Sequence, residues 1–240
     1  MIAHVGYPTE TFKAPLIYNP RFDAHGIDAV VVPMGVKAED CPATLRALFR
    51  MTNIRGALIT MPHKVATLGL ADGASITAKI AGSANALRKD TNGKLIGDMF
   101  DGTGFTRGLA RKGFKFNDAK CLVVGTGGAG SAIAASLAAD GVASLTLFDT
   151  NAASAQALRE RLKLHYGKLD VRVGRPVVAG QDLVVNATPI GMKDDDPCPS
   201  TLLRSRLPAS PPDELRAVAK GRVLKAAEAL VRARRGRVAM

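Results

Sequence analysis

The 240-residue chain has little of what secreted and membrane proteins depend on. It has only three cysteines, at positions 41, 121 and 198, too few and too far apart for a disulfide framework. No apolar run approaches the roughly 20 residues that span a membrane. The N-terminus also lacks the basic-then-apolar pattern of a signal peptide. We therefore expect a cytoplasmic protein with no membrane partner.

Two kinds of site are also missing from the pattern. The four histidines and three cysteines never fall at metal-ligand spacing, so we predict no metal site. The chain has no tryptophan and 5% aromatic residues, and no known nucleic-acid module accompanies its net charge of +12. Residues 201–240 alone carry ten Lys or Arg against three Asp or Glu. Such a basic tail can bind nucleic acid, but without a module we do not expect a nucleic-acid partner.

The strongest feature that is present is a glycine-rich turn between an apolar strand and an Ala/Leu-rich helix. The strand is predicted over 121–124 and the helix over 131–140, and a second strand over 144–149 ends in an acid. Backbone N–H groups at such a helix start bind a pyrophosphate, and the acid can accept hydrogen bonds from a ribose. The pattern predicts a dinucleotide site, with a glycine-rich connection in some other α/β sheet as the alternative. The predicted cofactor residues here are Gly125, Thr126, Gly127, Gly128, Ala129, Gly130, Asp149 and Thr150.

Strands and helices alternate along the chain, which predicts an α/β fold. Before residue 101 the pattern predicts strands at 2–6, 29–33 and 56–60 and a hairpin over 84–98. It predicts helices at 15–26, 39–51 and 75–81, a helix that starts at Pro62, and a further one from about residue 100 to 113. After it, a βαβ pattern continues with a helix at 152–166 and strands at 171–173 and 182–186. We predict an open α/β domain over 1–101, a Rossmann-type domain over 102–200 and an atypical basic segment over 201–240. Within that segment, residues 213–238 have the composition of a helix.

Polar residues follow several predicted strands, where ligands bind in open α/β sheets. Thr60 and Lys64 follow one strand, Asn85 begins another, and Asp101 follows the hairpin. A lysine beside a carboxylate can hold or transfer a proton during alcohol oxidation. The alternative is an ordinary helix lysine at Lys64 and a helix N-cap at Asp101.

Five motifs, in order, resemble the shikimate dehydrogenase family, in its shikimate/quinate dehydrogenase-like branch. They are GALITMPHK, AGSANAL, KLIGDMFDGTGF, LVVGTGGAGSA and LVVNATPIGM, within residues 2–200. The resemblance implies an N-terminal substrate domain and a Rossmann-type cofactor domain. It also implies NAD(P)-dependent hydride transfer between a cyclic hydroxy acid, as the small-molecule partner, and its ketone. A homodimer is one candidate assembly.

The same resemblance assigns roles to individual residues. Lys64 matches the catalytic lysine and Asp101 its partner, while Thr60 and Asn85 match substrate-contacting positions. The segment Asn186, Ala187 and Thr188 matches the turn beside the nicotinamide. Asn186 could equally satisfy its own backbone at the end of a strand.

The chain departs from the family at the substrate side. Phe12 and Ala14 replace two serines that bind the substrate carboxylate, and Met99-Phe100 replaces Asn-Thr. After about residue 201 we find no match to the family's C-terminal part and its substrate-contacting glutamine. These departures favour a less polar or differently placed substrate. They also motivate a rival interpretation, a catalytically weak dinucleotide-binding or regulatory protein.

The cofactor can be predicted from the residues after the second strand of the Rossmann-type domain. NADP-using members of the family have an Asn-Arg-Thr-like segment there, whose arginine pairs with the 2′-phosphate. This chain has Asp149-Thr150-Asn151, and a carboxylate accepts hydrogen bonds from ribose hydroxyls but repels a phosphate. We predict NAD, with NADP as the alternative.

Overall fold

A computed structural model of the chain describes residues 1–10, 12–188 and 190, and the backbone of residues 228–231. The chain divides into two units, Met1–Phe100 and Asp101–Met240, which we call the first and second units. None of the helices in the described ranges is long and apolar enough to cross a membrane.

The first unit is a six-stranded sheet with four helices. Its strands are β1 (Ile2–Gly6), β2 (Val31–Gly35), β3 (Gly56–Ile59), β4 (Gly73–Ala74), β5 (Ala86–Lys89) and β6 (Leu95–Asp98). Its helices are α1 (Ala14–Ala24), α2 (Cys41–Leu48), α3 (Lys64–Leu70) and α4 (Ile76–Ala81). The strand order is β2-β1-β3-β5-β6-β4. Strand β1 is parallel to β2 and β3, and the hairpin of β5 and β6 adds an antiparallel strand next to β3.

The core of the first unit lies between α2 and one face of the sheet. Leu45 and Leu48 recur at helical spacing on α2 and are buried against strand residues that include Ala3 and Val5. Alternation along β1 sends His4 to the opposite face. This arrangement fixes the sheet and therefore the positions of its strand ends.

The second unit is a five-stranded sheet with three described helices. Its strands are β7 (Lys120–Val124), β8 (Ser144–Phe148), β9 (Asp170–Val173), β10 (Leu183–Asn186) and β11 (Glu228–Val231). Its helices are α5 (Asp101–Arg111), α6 (Gly128–Ala139) and α7 (Ala152–His165). The strand order is β11-β10-β7-β8-β9, and the four strands from β10 to β9 are parallel.

The centre of the second unit is apolar on every side. Four successive residues of β7 are buried, as expected for a central strand of a parallel sheet. Helix α6 is buried continuously from Gly130 to Ala138 and carries only small and aliphatic side chains there, apart from two serines. The predicted α/β fold, with an open N-terminal sheet and a Rossmann-type second domain, is confirmed.

One prediction of secondary structure is wrong. Residues 228–231, within the predicted helix over 213–238, form strand β11, which pairs antiparallel with β10. Strand β10 would otherwise leave a row of N–H and C=O groups open at the sheet edge. Pairing with β11 satisfies these backbone groups of β10, and this gain overrides the helix propensity of residues 228–231. The remainder of the predicted helix lies outside the described residues.

Other differences concern the ends of elements. Helix α6 begins at Gly128 instead of residue 131, so half of the predicted turn is helical. Strand β2 lies two residues later than predicted. The two-residue strand β4 was not predicted, because it is too short to show a period.

Candidate active site

The glycine turn between β7 and α6 requires glycine at two positions for different reasons. Gly125 has φ +92°, and a Cβ there would lie 2.9 Å from the carbonyl carbon of Ala187. At Gly130 a Cβ would overlap the carbonyl oxygen of Gly125. The glycine turn therefore packs closely against the residue after β10 and against the start of α6. A residue larger than glycine does not fit at position 125 or 130.

Gly127 differs from its neighbours, because its surroundings are open. It is the N-cap of α6, and no heavy atom lies within 4 Å of the position a Cβ would take. The first N–H groups of α6, at Gly128 and Ala129, have no acceptor within the helix and carry the positive end of its dipole. A turn that presents N–H donors to open space, with no side chain in front of them, fits a dinucleotide pyrophosphate.

Asp149, directly after β8, is hydrogen-bonded to this turn. Its Oδ2 accepts from the backbone N–H of Thr126 at 2.6 Å and lies 2.9 Å from Thr126 Oγ1. Its Oδ1 accepts from the backbone N–H of Asn151 at 2.9 Å. The next residue, Thr150, is exposed, and its hydroxyl is 3.5 Å from Oδ1, which is long for a hydrogen bond. The carboxylate thus connects the glycine turn to the start of α7.

The charge state of Asp149 follows from these contacts. Partial burial opposes ionisation, but the hydrogen bonds donated by Thr126 and Asn151 outweigh it and hold the pKa of Asp149 below its ordinary value. At neutral pH the residue after β8 is therefore a half-buried negative charge.

Two serines in this region were missed by the sequence reasoning. Ser131 on α6 donates its hydroxyl to the Thr126 carbonyl at 2.7 Å, and Ser154 Oγ on α7 lies 2.9 Å from Thr126 Oγ1. Thr126 and Ser131 are both buried. Both serines lie in the first turn of a helix next to the glycine turn, and that position could have indicated from the sequence that they support it.

Asn186 engages its own turn. Its Oδ1 accepts from the N–H and the hydroxyl of Thr188, at 3.1 and 2.7 Å, and its Nδ2 donates to the Ile190 carbonyl. This is the self-satisfying role that the sequence left open for Asn186. Ala187, by contrast, packs on the glycine turn and donates its N–H to the Val124 carbonyl.

In the first unit, main-chain hydrogen bonds bring three predicted residues to one edge of the sheet. Thr60 follows β3, Lys64 begins α3 and Asn85 precedes β5. The Lys64 carbonyl accepts from Ala84 N–H at 2.9 Å, and the Asn85 carbonyl accepts from Ile59 N–H at 2.8 Å. All three residues are half-buried.

The start of α3 depends on His63, whose importance sequence reasoning missed. Its side chain is 1% exposed, and its Nε2 donates to the Val36 carbonyl at 2.8 Å. Since the carbonyl only accepts, the proton must be on Nε2. His63 thereby ties the residue before Lys64 to the segment that follows β2.

Phe12, which replaces a family serine, lies at the same edge. Its ring centroid is 4.2 Å from that of His4, and its ring edge lies over Gly6. The methyl group of Thr60 also lies over Gly6. An apolar ring therefore stands beside a residue predicted to contact substrate.

Asp101 belongs to the second unit. It is the first residue of α5 and lies within the helix instead of capping it, where a carboxylate interacts favourably with the helix dipole. The next residue, Gly102, approaches α6 so closely that a Cβ would overlap the Ala132 carbonyl. Close packing of the two helices thus fixes the position of Asp101 within its unit.

The parallel sheet, the glycine turn and the acid after the second strand define a dinucleotide-binding α/β protein. Two family profiles match the chain. Residues 5–87 match the shikimate dehydrogenase substrate binding domain, and residues 108–190 match shikimate / quinate 5-dehydrogenase. The chain belongs to the shikimate dehydrogenase family of NAD(P)-dependent oxidoreductases, as the five motifs predicted.

Curated relatives agree with this assignment. The shikimate dehydrogenase (NADP(+)) of Rubrobacter xylanophilus is 34% identical over 202 residues, which are 83% of this chain and 71% of that protein. The enzyme of the same name from Geobacter metallireducens is 33% identical, over 78% of this chain and 68% of that protein.

Solved structures share the fold. Shikimate 5-dehydrogenase from Listeria monocytogenes, in complex with shikimate and NAD, superposes with a TM-score of 0.73 at 27% identity, covering 80% of this chain and 69% of that one. A 5-ketofructose reductase of Gluconobacter gives 0.71 at 26% identity, covering 79% and 69%. The comparisons support the oxidoreductase interpretation and not the regulatory one.

Proposed function

We propose that this chain catalyses reversible hydride transfer between NAD and a cyclic hydroxy acid or its ketone. The first unit would bind the substrate and the second unit the cofactor. The observation that carries the proposal is the glycine turn, whose N–H donors open onto free space in a member of a dehydrogenase family. A cytoplasmic location and a homodimer stay predictions.

The protein's own residues contribute proton transfer to the reaction. When bound, the nicotinamide takes a hydride from the carbinol carbon or returns it to the ketone. As that C–H bond breaks, the substrate hydroxyl must release its proton, and we assign the proton to Lys64 Nζ. Asp101, by the resemblance, would orient the lysine, and Thr60 and Asn85 would hold the substrate hydroxyls.

The role of Lys64 can be tested by following NADH absorbance with shikimate, quinate and related hydroxy acids. Lys64→Ala should lower kcat by roughly 100-fold or more while NADH binding is unchanged. Lys79→Ala, an exposed lysine on α4, is the matched control and should retain full activity. An unchanged kcat/KM for Lys64→Ala would remove this residue from the mechanism.

The preference for NAD is proposed from Asp149. The half-buried carboxylate can accept from a ribose hydroxyl but repels a 2′-phosphate, and neither Thr150 nor Asn151 offers a compensating cation. We expect kcat/KM to be at least about tenfold higher with NAD than with NADP. Equal or better turnover with NADP at matched concentrations would refute the preference, and would agree with the cofactor in the names of the curated relatives.

On the substrate side we propose a ligand that is less polar, or placed differently, than shikimate. The Phe12 ring packs on His4 and over Gly6, so position 12 offers no hydroxyl to a carboxylate. Restoring serines with Phe12→Ser and Ala14→Ser should raise kcat/KM for shikimate by about tenfold. A double variant with no gain on shikimate would contradict this account.

A further inference from the structure

Thr126 holds the Asp149 carboxylate from two directions. Its N–H and its hydroxyl both reach Oδ2, at 2.6 and 2.9 Å. The same hydroxyl lies 2.9 Å from Ser154 Oγ. Because a hydroxyl has one proton and an ionised carboxylate can only accept, Thr126 donates to Asp149 and its Oγ1 is left to accept from Ser154. The Ser154 hydroxyl also lies 3.4 Å from the Thr126 carbonyl, a longer contact than the 2.9 Å to Oγ1. The hydroxyls therefore form a directed chain from α7 to the carboxylate.

These hydrogen bonds leave the two oxygens of Asp149 with different numbers of donors. Oδ2 is occupied by both donors of Thr126, whereas Oδ1 receives one close donor, the Asn151 N–H at 2.9 Å. A carboxylate oxygen has two lone pairs. The second lone pair of Oδ1 meets the exposed Thr150 hydroxyl at 3.5 Å, a long contact that a ribose hydroxyl can replace. The bonds to Thr126 restrain the carboxylate, so Oδ1 keeps its orientation.

We propose that Thr126 is a specificity-determining residue. Its hydroxyl, supported by Ser154, fixes Asp149 so that Oδ1 accepts a ribose hydroxyl and repels a 2′-phosphate. This inference rests on the proposed NAD preference and adds the residue that enforces it. Thr126 is 3% exposed, so its hydroxyl does not contact the cofactor directly. It acts by positioning Asp149.

The direct test measures dissociation constants of NADH and NADPH, using the fluorescence of the reduced nicotinamide. Thr126→Val removes the hydroxyl with little change of shape, and Thr126→Ser keeps it. We expect Thr126→Val to weaken NADH by about tenfold and NADPH by less than about threefold. Thr126→Ser should retain the wild-type ratio within about twofold. Thr146→Val, on the neighbouring strand β8, is the matched control and should change neither constant.

Two outcomes in these single variants would overturn the inference. One is an equal loss of NADH and NADPH binding in Thr126→Val, which would indicate general damage to the turn. The other is a Thr126→Ser variant that behaves like Thr126→Val, since the hydroxyl would then not matter. Thermal unfolding of each variant confirms that it is folded.

A double-mutant cycle separates this inference from the proposed function. In an Asp149→Ala background, Thr126→Val should change NADH affinity by less than about twofold, because the carboxylate it positions is gone. A persisting tenfold effect would show that Thr126 acts independently of Asp149 and would overturn the inference. A wild-type protein with no NAD preference would refute the proposed preference, yet the cycle would still decide whether Thr126 acts through Asp149.

Discussion

The two units fix their predicted ligand-contacting edges by different means. In the second unit side chains do it: Thr126, Asp149 and Ser131 hydrogen-bond across the glycine turn, and the turn itself needs glycine. In the first unit most of the bonds that place Lys64 and Asn85 are main-chain bonds, from Ala84 N–H and Ile59 N–H. Two side chains add to them: His63 donates to the Val36 carbonyl, and Asn85 Oδ1 accepts from Phe100 N–H. Residue types in the glycine turn are therefore constrained by the fold. At the substrate edge, a residue such as Phe12, whose side chain makes no hydrogen bond, can change while the main-chain positions stay.

The departures from the family follow this difference. Phe12 and Ala14 lie in the first unit, just before and at the start of α1 and outside the strands, so a change of side chain there leaves the strand pairing intact. The glycine turn, in the second unit, keeps every residue that its geometry needs. The same difference predicts which substitutions damage the fold and which alter only the ligand.

The largest effect is expected from Gly130→Ala. The new methyl group would overlap the Gly125 carbonyl oxygen, which is backbone and cannot move aside alone. We expect a loss of roughly 3 kcal/mol in the free energy of unfolding, together with loss of NADH binding. Urea unfolding and NADH fluorescence measure the two effects.

Gly127→Ala is the control for that prediction. This position has φ −66° and nothing within 4 Å of a Cβ, so stability should fall by no more than about 1 kcal/mol, the N-cap preference for glycine over alanine. NADH binding should still weaken, because the methyl group would stand in front of the N–H donors. If Gly130→Ala were as stable as Gly127→Ala, close packing would not define the turn.

In the first unit, the side chain with the greatest expected effect on stability is His63. His63→Leu removes the donor to the Val36 carbonyl and leaves that buried acceptor unpaired, which should cost about 2 kcal/mol. Lys64 would then begin a less well-positioned helix, so kcat should also fall. Val65→Ala, whose parent side chain is 68% exposed on the same helix, should be nearly neutral. A stable, fully active His63→Leu variant would show that main-chain bonds alone position α3.

These differences also explain what could be predicted from the sequence. The strands, helices and glycine turn follow from apolar periods and from residue types with special backbone conformations, which act over a few residues. The side-chain bonds of Thr126 with Ser154, and of His63 with Val36, join residues that are 28 and 27 positions apart. No local pattern reports such pairs. Strand β11 was missed for the same reason, since only the edge of β10 makes residues 228–231 extended.

Asp149→Asn tests how much the carboxylate charge contributes to the second unit. The folded pKa of Asp149 lies below its ordinary value, so the ionised group stabilises the fold above about pH 4. That contribution is lost as the pH falls through the folded pKa. Allowing for partial exposure, we expect Asp149→Asn to cost about 1 kcal/mol at pH 7 and less on acidification.

Urea unfolding of wild type and Asp149→Asn at several pH values measures this difference. Asp28→Asn, at a fully exposed side chain of the first unit, is the control and should change little at any pH. A cost of Asp149→Asn that grows as the pH falls would contradict the assigned direction.

The smallest effect is expected at Thr150. A change there distinguishes two routes to NADPH binding: adding a cation beside Asp149, and replacing Asp149 itself. Thr150 is exposed and makes only a 3.5 Å contact with Asp149. Thr150→Arg adds a guanidinium that can pair with a 2′-phosphate and leaves the bonds of Thr126 intact. NADPH affinity should rise by about threefold, and NADH affinity should change by less than about twofold. Asp149→Arg removes the acceptor that holds the glycine turn, so it should weaken both cofactors despite its more favourable charge. If Asp149→Arg instead bound NADPH tightly with no loss of stability, the cofactor edge would be as tolerant of new side chains as the substrate edge.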